Sequence, residues 1–163
     1  MAATFSTSYF GRYVDLYIMG VPEPSFEGRA ALTFDPNVRV CTGLQKLIQI
    51  YMITILTAVG SKLLAPDDGT LVGGLVVGGI MPLSTLITHQ VNIANAQAID
   101  QILTDQGDIL SEGLEPIPDD ELLVTASGVE VDVVSCAEFS FTVQLDNVAG
   151  DTATFVVPLS LVP

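Results

Sequence analysis

A chain of 163 residues, 49% hydrophobic and 15% charged, is long enough for one domain with a real core, or for a small domain plus an arm. Its formal charge of −14, with no clustered lysine or arginine, argues against direct contact with nucleic acid, whose phosphates need cations. Two distant cysteines and the lone His89 argue against a zinc site or a thiol–histidine pair, and fit buried thiols in a reducing compartment.

The charge is unevenly spread. All five basic residues (Arg12, Arg29, Arg39, Lys46, Lys62) fall in the first 62 positions beside four acids, a balance of +1, and the other fifteen acids follow with no cation, a balance of −15. Those C-terminal carboxylates are left to water, to a metal ion, to the N-terminal segment, or to a basic surface on another chain.

Residues 1–40 read as an extended N-terminal arm laid over the domain or over a neighbour. Tyr13 to Met19 is a strand candidate, and Ala30 to Phe34 and Val38 to Cys41 are shorter ones around an Asp35-Pro36-Asn37 turn. Pro22, Pro24 and Pro36 deny the arm regular continuation. No basic n-region or small-residue cleavage site marks a signal peptide there.

Residues 41–163 read as a single domain. Thr42 is a candidate N-cap for a helix whose apolar residues recur at Leu44, Leu47, Ile48, Tyr51, Ile55 and Val59, and Gly60 is the expected stop. Met52, Ile53 and Leu56 widen that face, so the helix is expected to be buried on most sides. Pro66-Asp67-Asp68-Gly69 then forms an acidic elbow. The Gly73-Gly74 and Gly78-Gly79 pairs lack the spacing of a phosphate loop and fit close backbone packing.

From Pro82 a second helix is expected to run to Gln106-Gly107. Leu83, Ile87, Val91, Ala94, Ala98 and Ile102 form its apolar stripe, with Asn92, Asn95, Asp100, Gln101 and Asp105 opposite. Ser111 to Glu121 is an acidic connector, and Asp119-Asp120-Glu121 is expected to be a solvated turn. The period then changes to two over Val129 to Val133, Ala137 to Leu145 and Ala153 to Leu159, which predicts a C-terminal antiparallel three-stranded β-meander. Pro158 withholds a ladder donor, so the last strand is expected at an edge. The fold class is therefore α+β.

A membrane hairpin is the main competing interpretation, as in a small holin-like protein. The first helix has only about a dozen consecutive apolar residues, short of the ~20 that a span needs. No Ser–His–Asp, Cys–His, metal or nucleotide-binding set can be assembled, so neither enzymatic activity nor a cofactor is expected. The composition suits an interaction protein: an oily helix, an arm, an acidic surface and an edge strand.

The order of features resembles the sheath-initiator, or baseplate-wedge, family of contractile phage tails, some members of which carry a lysozyme label. The matching residues are Leu56-Thr57-Ala58-Val59-Gly60, Pro66 with Gly69, and Glu115-Pro116, within a similarity spanning Thr42 to Leu161. Two positions depart: Ser61 stands where an acid is usual, and Ile117 where an arginine follows Glu-Pro. The resemblance implies a structural virion protein, assembled in the bacterial cytoplasm and present in several copies in the baseplate. Its partners would be sheath, wedge and tube proteins, with no nucleic acid and no membrane. Sheath strands would add at Thr152, Thr154, Val156 and Leu159, or at the opposite edge near Val131 and Val133. Leu56, Thr57, Gly60, Pro66, Gly69, Glu115 and Pro116 would face wedge and tube. Another phage structural or adaptor protein is the nearest alternative.

Overall fold

The computed structural model of the chain describes residues 15–16, 40–63, 65–72, 84–113, 116–135 and 138–160. They form an α+β fold: α1 (Leu44–Leu56), α2 (Ser84–Glu112) and an antiparallel sheet of β3 (Leu123–Ser135), β4 (Glu138–Asn147) and β5 (Thr152–Ser160) in that order. Upstream, β1 (Asp15–Leu16) pairs antiparallel with β2 (Val40–Cys41), inside two of the segments expected to be extended. The remainder of the arm and both Gly-Gly pairs lie outside the described residues.

α1 forms because Leu47, Ile48, Tyr51, Met52 and Ile55 fall on one side, and each is at most 1% exposed. Its start differs from the expected Thr42 cap. Gly43 is the N-cap, with φ 63° and no side-chain cap bond of its own. Its N–H instead donates to Glu121 Oε1 at 3.0 Å, from 78 residues away. The φ of 63° is left-handed backbone that favours glycine, and a Cβ on Gly43 would also have to displace Asp120 Oδ2, 2.7 Å away. The end also differs. Thr57 turns to extended backbone and its hydroxyl donates back to the Ile53 carbonyl, so the helix stops before Gly60, which belongs to the following turn.

α2 buries Ile87, Val91, Ala94, Ala98 and Ile102 of the expected stripe; Leu83 and the expected start at Pro82 lie outside the described residues. It does not stop at Gly107 but continues to Glu112, with Gly113 in the left-handed conformation after it. A mid-helix glycine costs only about 1 kcal/mol, and Gln106 pins the helix where that cost falls. The Gln106 amide donates to the Glu121 carbonyl at 2.9 Å and accepts the Leu123 N–H at 3.0 Å. Asn95, expected on the polar face, is 8% exposed. It accepts the Tyr51 hydroxyl at 2.6 Å and donates to the Ala126 carbonyl at 3.0 Å, joining α1, α2 and β3. Burial pushes the Tyr51 phenol up, so it stays a neutral donor.

In the sheet, Phe139, Phe141, Val143 and Leu145 of β4 and Ala153, Phe155, Val157 and Leu159 of β5 face the core, as the alternation predicts. The Tyr51 ring meets Phe155 edge-on, at 5.9 Å between centroids, and locks α1 onto the sheet. β3 begins at Leu123, ahead of the expected Val129, because register irregularities break its period. One of them is at Gly128, with φ 65°. Among the described residues no helix is long and apolar enough to cross a membrane.

Candidate interaction surface

β4 is central, so β3 and β5 are the two edges. They are unlike. β3 is broken by three register shifts, which twist and interrupt an edge. β5 pairs with β4 from Thr152 to Ser160 without interruption.

The hairpin turn fixes which way the β5 amides point. Asn147 N–H donates to the Asp151 carbonyl at 3.1 Å, so the 147–151 pair is a hydrogen-bonded one. Antiparallel pairs alternate, so Ala153, Phe155, Val157 and Leu159 turn their main chain toward β4. Thr152, Thr154, Val156 and Pro158 turn theirs outward. Proline, which has no N–H to offer, falls in the outward set, where no bond to β4 is lost.

Among the predicted edge residues, Thr152 and Thr154 are exposed and Val156 is half-buried, so side chain and main chain are open together. Leu159 is 8% exposed and belongs to the core, with its amide on the β4 side. Val131 is half-buried and Val133 is 44% exposed on irregular β3.

The face of the sheet away from the helices is polar and acidic. Thr125, Asp146 and Thr152 form one cross-strand row, Glu130, Thr142 and Val156 another, and Asp132, Ser140 and Pro158 a third. Both lysines among the described residues are engaged elsewhere, Lys46 with Glu121 at 2.7 Å and Lys62 with Asp68 at 2.8 Å.

The elbow residues Leu56, Thr57, Gly60, Pro66 and Gly69 are brought into one bonded loop. Gly60 N–H donates to the Pro66 carbonyl and Thr70 N–H to the Thr57 carbonyl, both at 2.8 Å. Gly69 N–H donates to Gln101 Oε1 at 3.0 Å and Leu71 N–H to Gln97 Oε1 at 3.3 Å, tying the loop to α2. Pro116 is exposed on the connector, and Glu115 lies outside the described residues.

Gly69 has φ 106°, and a Cβ there would sit 2.6 Å from the Thr57 carbonyl oxygen. Gly69→Ala is therefore expected to cost about 2–3 kcal/mol, and Gly60→Ala, strained but in open space, about 1. Urea titrations of the two variants check this. Equal losses would mean that backbone contact at Gly69 is not what sets the elbow.

Asp105 adds a pH dependence. Burial, then the Asp68 carboxylate, raise its pKa from 3.8, against the pull of Lys62. Its contribution to stability is thus fully present below 3.8 and is lost as pH rises through the folded value. Asp105→Asn should raise Tm at pH 7 and leave it unchanged near pH 3. A constant difference across that range would remove the Asp105 field as the cause.

The acidic connector is not a solvated turn throughout. Glu121 is 3% exposed and accepts from both Gly43 N–H and Lys46. Val148 N–H donates to the Leu122 carbonyl, Ala149 N–H to the Asp119 carbonyl and Asn147 Nδ2 to the Asp120 carbonyl. The turn that launches β5 is thereby fastened to the connector, and the connector to α1. Glu121, Gln106 and Asn147 carry no local signal as joints, since each acts on backbone distant in sequence. Among the described residues no three His, Cys, Asp or Glu side chains gather as a metal ion would require. Comparison with protein-family models, with curated proteins and with solved structures found no match.

Proposed function

We propose that the chain is a structural subunit of a contractile-tail baseplate, similar to the sheath initiators, that templates the first sheath ring by accepting a strand along β5. The observation that carries this is the uninterrupted β5 edge, whose outward main chain at Thr152, Thr154 and Val156 is left unpaired by the described residues. An added strand gains main-chain hydrogen bonds for affinity and alternate side chains for register. Pro158 ends the run of donors and so marks one end of the acceptor site. The acidic side chains Glu130, Asp132, Glu138 and Asp151 would speed encounter with a basic sheath segment more than they tighten it. The elbow, stiffened by its bonds to α2, is the part expected to rest on wedge and tube proteins. In this role the protein is a virion component present in several symmetric copies.

Removing β5 is not a clean test, because Phe155 and Val157 are 1% and 0% exposed and belong to the core. Thr154→Pro is clean, since its lost N–H is an outward one. The variant is expected to fold with a Tm near that of the parent and to enter baseplates that carry no extended sheath. Sheathed tails of normal length from the Thr154→Pro protein would overturn the proposal.

A further inference from the structure

Asp68-Gly69 is the one Asp-Gly pair in the chain, and there is no Asn-Gly. In an open chain such a pair rearranges readily, because glycine has no side chain to shield its amide nitrogen. That nitrogen attacks Cγ of the preceding aspartic acid. The amide proton and the carboxyl hydroxyl leave together as water, and a five-membered imide forms. Water then opens the imide at either carbonyl. Opening at the main-chain carbonyl leaves the chain running through the side-chain carbon, an isoaspartyl link with one more methylene in the backbone.

The fold holds the reacting atoms in place. Three successive amides are bonded: Asp68 N–H to the Ala65 carbonyl at 3.1 Å, Gly69 N–H to Gln101 Oε1 at 3.0 Å and Thr70 N–H to the Thr57 carbonyl at 2.8 Å. The peptide plane that must turn to bring the Gly69 nitrogen onto Cγ is thus fixed on both sides. The Asp68 carboxylate is tethered as well, with Oδ2 2.8 Å from Lys62 Nζ. Gly69 and Thr70 are buried, so the elbow has to lift from α2 before the nitrogen can attack. Of the three acceptors only Gln101 Oε1 belongs to a side chain, and so it alone can be removed by substitution. Once formed, the longer link does not fit back. A Cβ on Gly69 would already meet the Thr57 carbonyl oxygen at 2.6 Å, and an added main-chain methylene needs similar room.

We infer that Asp68-Gly69 is an isoaspartyl modification site that the folded elbow keeps shut through Gln101, so that chains are marked there only after the elbow has opened. The site is separate from the β5 edge and stands whether or not a strand adds there.

The test holds the full chain at neutral pH and physiological temperature, folded in one sample and in urea in another. Isoaspartate at residue 68 is read by peptide mass spectrometry with electron-based fragmentation, and independently by an isoaspartyl methyltransferase with a labelled methyl donor. Conversion follows the population of the open form, so the urea sample should convert readily and the folded one far more slowly. Gln101→Ala removes one hydrogen bond and should quicken conversion of the folded chain about fivefold. Gln97→Ala, which frees Leu71 N–H instead, is the matched control and should quicken it less. Asp68→Asn removes the carboxylate that Lys62 holds and gives up ammonia in place of water. That variant should still deamidate slowly while folded, and Gln101→Ala should quicken it by the same factor. Equal rates in the folded and unfolded parent would overturn the inference. So would Gln101→Ala converting no faster than Gln97→Ala, or rapid deamidation of the folded Asp68→Asn chain, which would place the restraint on Lys62.

Discussion

Replacing Ile55 by aspartate is expected to abolish the cooperative thermal transition. Ile55 is 0% exposed and packs in the cluster that joins α1, α2 and the sheet. An uncompensated carboxylate there costs several kcal/mol, a large part of the roughly 5–15 kcal/mol that holds a domain of this kind. Size alone does not explain such a loss, since Ile55→Val should cost only about 1 kcal/mol. The matched control is Ile53→Asp on the same helix, at a site 38% exposed, where the charge stays hydrated and the loss should be below about 1 kcal/mol. Equal melts for the Ile55 and Ile53 aspartate variants would show that α1 is not core.

The two helices and the two regular strands were legible in the sequence because each has a period that burial imposes locally. Ile87 to Ile102 recur at helical spacing and lie on one buried side, and Phe139 to Leu145 alternate and point one way. What periodicity misled on was the polar exceptions. Asn95 reads as a surface residue until Tyr51 and the Ala126 carbonyl are found on either side of it. Thr42 reads as a cap, but Gly43 holds the N-cap position and gives its own N–H to a distant acid. Gly107 reads as a stop, yet the Gln106 bonds to β3 carry the helix past it. β3 was foreshortened because its register shifts exchange inward for outward positions partway along. Of the candidate site, Thr152, Thr154 and Val156 were legible as an edge from Pro158 and the alternation. Leu159 was not separable from them, since its burial depends on which face meets the helices.

The second large effect is expected at Glu121. Its carboxylate accepts from Gly43 N–H at 3.0 Å and from the Lys46 ammonium at 2.7 Å. Glu121→Ala leaves the Gly43 N–H, at the N-cap of α1, without its Glu121 acceptor and takes one carboxylate from beside Lys46. Removing one member of a buried pair costs about 3–5 kcal/mol. The lower end applies, because Lys46 is 17% exposed and can turn to water. Glu121→Gln keeps an oxygen for Gly43 and loses only the charge, so about half that loss is expected. The damage should be local before it is global. Amide exchange should quicken first at Gly43 to Leu47 and then at Val148 and Ala149, whose N–H groups bond the connector. Because that turn launches β5, Glu121→Ala should also weaken strand addition while leaving the edge residues untouched. Thr154→Pro, by contrast, should weaken strand addition without loss of stability. If Glu121→Ala melts within about 0.5 kcal/mol of the parent and exchange at Val148 is unchanged, the connector does not couple α1 to the β5 edge.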